Sequence, residues 1–340
     1  MTRRSFLGSS AAGLVAASFT GIPNSIASKA ETPSKYIQTV RGAIPADKLG
    51  LTLPHEHIMC DFIGAAETGK HRYDSDEVVE VIQPYLQEIR DLGVQSFFDC
   101  SPMFIARDAE VLARLSKATG LNIVTNTGMY KEPFLPQYAF ETSADKLAEM
   151  WIKEFEEGIE GTEIKPGFIK IAVNPGSLIP VQQKIVRAAA RAHHATGLTI
   201  ASHTAHGVAA LETIDLLETE KVSPANFIVV HTDSESEHDY HLQIAERGAW
   251  VEYDAIGRKP PEQHLEWIAS LLDAGYENQL LLSMDAGWYS VGEERGGEVM
   301  PYTYLIKEFV PRMREAGIVE ETIHKLTVTN PAQAFAIGSD

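Results

Sequence analysis

From residue 48 onward, short runs of β-branched and aromatic residues alternate with longer stretches whose apolar positions recur every three or four residues. Residues 74–92 show the helical period most plainly. Val78, Val81, Ile82, Leu86 and Ile89 share one face, and Asp74 and Ser75 stand where a cap belongs. The pattern stops at Gly93, and V-Q-S-F-F-D-C follows. The same phrase recurs as 106–119, Gly120 and L-N-I-V-T-N-T-G, then as 180–196, Gly197 and L-T-I-A-S-H-T. A further helical stretch ends at Gly248, before A-W-V-E-Y-D-A. Each glycine suits the left-handed position that ends a helix and turns the chain into a strand.

Strands are predicted at 49–53, 94–100, 122–127, 167–173, 198–203, 227–231, 249–254 and 280–284. Strands separated by helices imply a parallel sheet covered on its outside. Eight such units close most naturally as a (β/α)₈ TIM barrel of the α/β class. An open doubly wound sheet is the alternative, weakened because no Gly-rich phosphate fingerprint follows the first strand. No linker or shift of composition marks a second domain, so residues 28–340 are read as one barrel.

The first 27 residues are set apart from that barrel. Paired Arg3 and Arg4 precede an apolar, small-residue run at 7–19, and Ser25-Ile26-Ala27 has the small-x-small form of a cleavage site. This reads as a cleavable secretory signal, and its R-R-x-F-L form resembles the twin-arginine type, which predicts export to the periplasm or beyond. A membrane anchor is the other reading, but the run is short and broken by Gly and Ser. Twin-arginine export carries folded proteins, which suits a protein that takes up a cofactor before it leaves the cytoplasm.

Composition narrows the partners. The 340 residues are 44% hydrophobic and 22% charged, with a formal charge of −18. Without a basic stripe, no nucleic-acid partner is expected. After removal of the signal, no membrane partner is expected either. Cys60 and Cys100 follow apolar runs and are read as buried free thiols; export would also permit a disulfide.

The chemistry sits at the strand ends. In L-T-L-P-H-E-H, His55 and His57 are two residues apart, which splays them on a helix but puts them on one side of a strand. They stand just past the first predicted strand. Lys170 lies within the fourth, His203 ends the fifth, His231 the sixth and Asp285 the eighth. On a barrel all of these meet at the C-terminal rim, where active residues gather. Lys170, between Phe168, Ile169, Ile171 and Val173, would be desolvated at considerable cost. It needs either a buried acid such as Asp254 or Asp285, or conversion by CO₂ to a carbamate able to bridge two cations.

The constellation resembles the phosphotriesterase family of the amidohydrolase superfamily over most of the mature chain. The motifs that carry the resemblance are H-E-H at 55–57, T-G-M-Y at 127–130, G-F-I-K at 167–170, S-H-T at 202–204, V-H-T-D at 230–233, S-M-D at 283–285 and T-N-P-A at 329–332. The resemblance implies that His55, His57 and Asp285 hold one metal ion and His203 and His231 a second. N6-carboxylated Lys170 and a hydroxide would bridge them. Two such ions supply hydroxide near neutral pH, and Asp285 would be both ligand and proton acceptor. Imidazole and carboxylate ligands suit zinc, and also manganese, cobalt or iron. The expected activity is hydrolysis of a small-molecule lactone, carboxylic ester or related acyl compound. Phosphotriester hydrolysis, as a main or a side activity, and a barrel that binds a metal or small molecule without turnover are the alternatives. The resemblance also admits a homodimer.

Substrate contacts are fewer. Tyr130 matches an aromatic position of the family's lactonases, or else packs the rim. After the seventh strand the chain reads Y-D-A-I-G-R. Ala255 therefore replaces both the arginine of lactonase relatives and the histidine of organophosphate-hydrolysing ones. Arg258 would reach substrate from that loop or remain solvated. Residues 129–142 and 286–300 are expected to cover the mouth, the second with Trp288, Tyr289, Arg295 and the Gly296-Gly297 pair. His206 is read as a neighbour of the ligands, and His193, His194, His238 and His241 as structural or unassigned.

Overall fold

In the computed structural model, which describes residues 35–338, eight parallel strands follow one another around a ring. The export signal expected over residues 1–27 lies outside the described residues. The strands are Thr52–Cys60, Ser96–Asp99, Asn122–Val124 continued by Asn126–Met129, Phe168–Ala172, Ile200–His203, Phe227–Val230, Trp250–Tyr253, and Leu280–Leu282 continued by Gly287–Ser290. Hydrogen bonds group them as a sheet of six and a sheet of four. The third and eighth strands each contribute to both sheets, so the order returns to the first strand and the fold is a (β/α)₈ barrel rather than an open sheet. Asp285 N donates to His55 O at 3.1 Å and His57 N to Ala286 O at 2.9 Å across the break in the eighth strand.

Helix starts and stops follow the local chemistry. Ser75–Asp91 begins where Asp74 accepts from the backbone N–H groups of Asp76 and Glu77, and it buries Val78, Ile82, Leu86 and Ile89. Ala109–Thr119 starts three residues later than its periodicity predicts, because Asp108 is its cap. Gly120 at φ 76° and Gly197 at φ 74° end their helices in the left-handed conformation.

Three sequence expectations are corrected. The first strand is Thr52–Cys60, not 49–53, so His55 and His57 lie inside it rather than beyond it. Pro54 and three polar residues hide the strand from a hydrophobicity reading, and the pairing register shifts between Leu53 and Glu56. The third strand breaks at Thr125. The segment read as a second lid contains the strand Gly287–Ser290, paired with His57, Met59 and Cys60. Of its candidate lid residues, Tyr289 turns to Glu77 on the outer helix and Arg295 pairs with Glu80 on the surface. Gly296 is where a Cβ would strike the Tyr289 ring.

Inside the ring, the N-terminal ends of the strands contribute Phe98, Val124, Phe168, Ala201, Ile228, Trp250 and Leu281 to one cluster. Phe335, after the last helix, closes it from below, with ring centroids 4.2 Å from Phe98 and 5.5 Å from Phe168. Ile37, from an antiparallel hairpin of Tyr36–Thr39 and Gly42–Pro45, joins this base. Each buried Phe contributes about 1.5–3 kcal/mol by transfer alone. Cys60 and Cys100 are buried and free, as read. Among the described residues no helix is long and apolar enough to cross a membrane.

Candidate metal centre

Every candidate ligand lies at the opposite, C-terminal end of the ring. His55 and His57 come from the first strand, Lys170 from the fourth and His203 from the fifth. His231 and Asp285 follow the sixth strand and the first half of the eighth. Both take left-handed backbone conformations, φ 61° and φ 50°, which histidine and aspartate adopt more readily than most residues. Close backbone approach fixes two glycines beside them. A Cβ on Gly128 would lie 2.1 Å from Lys170 O, and one on Gly287 would lie 1.9 Å from His57 O.

Hydrogen bonds decide which imidazole nitrogens are free. Ser101 Oγ donates its one proton to Met59 O at 2.6 Å, so the Nδ1–H of His57, 2.8 Å away, must donate to that oxygen. His55 Nδ1 faces Glu252 Oε2 at 3.0 Å and Asp254 Oδ2 at 3.3 Å, and His231 Nδ1 lies 2.7 Å from Asp254 Oδ1. In all three rings the Nε2 lone pair is left to face the centre, the arrangement metal-binding histidines take. Those rings and His203 gather round one point, with centroids 5.4 Å apart for His55–His57, 5.0 Å for His55–His231 and 4.5 Å for His203–His231.

Electrostatics sort the buried acids. Burial alone would raise the Asp254 carboxyl, but the charges and hydrogen bonds of His231 and His55 hold it well below the usual range. Its neighbour Glu252 is pushed the other way, by burial and then by the Asp254 charge. Burial, and next the Lys170 ammonium, pushes His55 down to about 3. Burial likewise lowers His57 and His203. Against its burial, the Asp254 carboxylate raises His231, which must give up its extra proton to bind, since a metal requires neutral imidazoles.

The donor set fits divalent ions. Donor atoms of His55, His57 and Asp285 lie within 4.8 Å of one another. Asp285 Oδ1 is 3.0 Å from His57 Nε2 yet is buried without a hydrogen bond, as expected of two lone-pair donors aimed at a common ion. The group His55, His231 and Asp254 is equally compact, but Asp254 faces the protonated Nδ1 atoms and so orients the rings. Lys170, 2% exposed, has no carboxylate within 4.0 Å among the described residues; its Nζ lies 3.5 Å from His55 Nε2. An ion pair to Asp254 or Asp285, the simpler reading of this lysine, is therefore not present.

A small pocket opens over these groups, walled by Phe62, Pro102, Ile105, Tyr130 and Trp288. Trp288 stacks on His57 at 3.8 Å and donates from Nε1 to Asp285 O. Tyr130 Oη lies 3.1 Å from His203 Nδ1. Arg258 donates to Asp285 Oδ2 at 2.6 Å, so the loop arginine is drawn onto a candidate ligand. His193 and His194 bond to backbone carbonyls far from the rim, as read. His206 makes no hydrogen bond or ring contact with His203 among the described residues.

Sequence reading missed Glu252, Ser101 and Glu56, and it met Asp254 only as a partner for Lys170. Glu56 accepts from Ser283 Oγ and the Met284 and Ala286 N–H groups, which pins the broken eighth strand beside the site. One signal was present: W-V-E-Y-D puts two acids on one face of a strand covered on both sides.

A profile of the phosphotriesterase family matches residues 35–335. A phosphotriesterase homology protein of Escherichia coli is 32% identical over 85% of this chain and 99% of its own length. An aryldialkylphosphatase of Saccharolobus solfataricus is 29% identical over 87% of this chain and 98% of its own. A mutant of a PTE-like lactonase from Deinococcus radiodurans superposes with a TM-score of 0.81, at 30% identity, covering 88% of this chain and 99% of that one.

Proposed function

Because the chain belongs to the phosphotriesterase family, whose members are binuclear metal-dependent hydrolases, we propose that it hydrolyses lactones, carboxylic esters or related acyl compounds. The observation that carries the proposal is the rim itself: two buried imidazoles and a partly buried third presenting Nε2, an orphaned Asp285 oxygen and a buried lysine with no carboxylate partner. His55, His57 and Asp285 would hold one ion, His203 and His231 the other, and Lys170 both. For that, the Lys170 amine adds to CO₂ and loses a proton, which turns a costly buried cation into an anionic ligand.

Two divalent ions, zinc or another ion these donors accept, would supply an activated water and polarise the oxygen of the scissile group. The chain's own residues do the rest. Asp254 keeps His55 and His231 oriented and their Nδ1 atoms protonated. Asp285 accepts the proton of the attacking water, and Arg258 holds the second oxygen of that carboxylate in place. Tyr130, Trp288 and Phe62 seat the acyl group and shield it from bulk water. Arg258 presents its remaining N–H groups to the substrate from the loop. The segment 1–27 would direct the folded barrel out of the cytoplasm.

The experiment is a pH-stat panel on zinc- or manganese-loaded protein with lactones, carboxyl esters, N-acyl amides and a phosphotriester, with Lys170→Ala as the blank. Fast acyl hydrolysis that disappears in the variant supports the proposal. Turnover of the phosphotriester alone would replace it with the organophosphate reading. Turnover of none of these by metal-loaded protein would remove the assignment.

A further inference from the structure

Lys131 follows Tyr130 at the mouth and has an unusual set of neighbours. Its Nζ lies 2.8 Å from His203 Nε2 and 3.5 Å from Val173 O, and 5.7 Å above the centroid of the Tyr130 ring. It is half-buried, yet no carboxylate stands within 4.0 Å of it among the described residues. The adjacent Glu132 is turned away, accepting from Asn174 Nδ2 and Gln182 Nε2, each at 3.3 Å. An ammonium in that position has lost much of its water and gained no counter-charge.

The proton inventory adds a second argument. A lysine ammonium only donates, so His203 Nε2 is the acceptor and its Nδ1–H points to Tyr130. Nε2 is therefore the nitrogen a metal ion would take, and Lys131 then has to leave it. It would be left beside a dication, next to His203 and Tyr130 of the pocket lining, without an anion. The geometry points to Lys131 as the residue that binds an oxyanion on the substrate, a carboxylate or sulfonate, so the acyl compounds opened here are anionic ones. This rests on the hydrolase reading and deepens it by naming the substrate class.

Matched esters on zinc-loaded protein test it: phenyl pentanoate against glutaric acid monophenyl ester for an anion on the acyl side, and phenyl butyrate against 4-carboxyphenyl butyrate for one on the leaving side. In at least one pair, the ratio of kcat/KM for the charged over the neutral ester should fall about 10- to 100-fold in Lys131→Met and recover in Lys131→Arg, as expected for loss of a charge-assisted contact. In parallel, ethanesulfonate is titrated into wild type and Lys131→Met and followed by tryptophan fluorescence, with zinc content measured for both. Saturable binding lost in the variant at equal zinc content supports the assignment. Unchanged ratios in both pairs, or retained ethanesulfonate binding, overturn it. Loss of zinc in Lys131→Met would also overturn it, making the lysine a support for His203. If wild type hydrolyses no ester, the hydrolase reading fails and the ethanesulfonate titration alone decides the anion site.

Discussion

The base and the mouth of this barrel are built on the same strands, two residues apart, and are opposite in character. Phe168 and Lys170 share one side of the fourth strand, Ala201 and His203 one side of the fifth. Trp250 is followed at that spacing by Glu252 and Asp254, and Leu281 leads by the same steps to Asp285. At the base, interior residues are apolar and touch other apolar residues. At the mouth the interior holds buried charges and imidazoles, with His203 and His231 partly buried. Base residues draw stability from removing apolar surface from water. Mouth residues cost desolvation, which their hydrogen bonds offset and a bound cation would offset further. One barrel thus separates a part that holds the fold from a part that holds the chemistry.

That separation can be broken by mutation. The largest effect is expected at Lys170→Ala: hydrolysis should drop by about 10³-fold or more, because several kcal/mol of charge stabilisation go with the metals. The urea midpoint, compared between the metal-free proteins, should move little. Next, Phe168→Ala should cost about 3–5 kcal/mol of stability, read as a lower urea midpoint. If that variant kept its stability and lost only activity, base and mouth would not be separate.

Smaller effects sharpen the picture within the mouth. Asp254→Asn removes the charge that orients His55 and His231 and should weaken metal affinity about 10- to 100-fold in a chelator competition. Glu252→Gln should cost less, because burial and the Asp254 charge already favour its uncharged form. Equal losses would contradict the division of roles between the two acids. The smallest effect lies outside the site. His241 donates from Nε2 to Glu235 O and accepts at Nδ1 from Tyr253 Oη, and burial pushes it down to about 4. A histidine depressed on folding contributes stability above its unfolded pKa of about 6.5, and this is lost as pH falls toward 4. His241→Gln should therefore show a shallower fall in thermal midpoint across that window than wild type.

How much of this the chain displays in its sequence follows the same divide. Lys170, His203, His231 and Asp285 were legible because each interrupts or ends a strongly apolar run, at a place the eightfold repeat identifies as the rim. The first strand was not legible beyond Leu53. Its next residues are Pro54, His55, Glu56 and His57, and their burial depends on partners far along the chain: Ser101, Ser283 and Glu252. The strand Gly287–Ser290 was hidden for a similar reason, since its pairing with the first strand is long-range and its sequence begins with a glycine. The acids that orient the rings escaped because hydrogen-bond partners of a histidine leave no fixed spacing.

The central claim is that the mouth holds two divalent ions through Lys170. The most direct test is the metal content, by plasma mass spectrometry, of wild type and Lys170→Ala reconstituted with and without bicarbonate and then dialysed. The account predicts two ions per chain in wild type, reached faster with bicarbonate, and little bound metal in the variant under either condition. Two ions retained by Lys170→Ala, or uptake in wild type indifferent to bicarbonate, would contradict it.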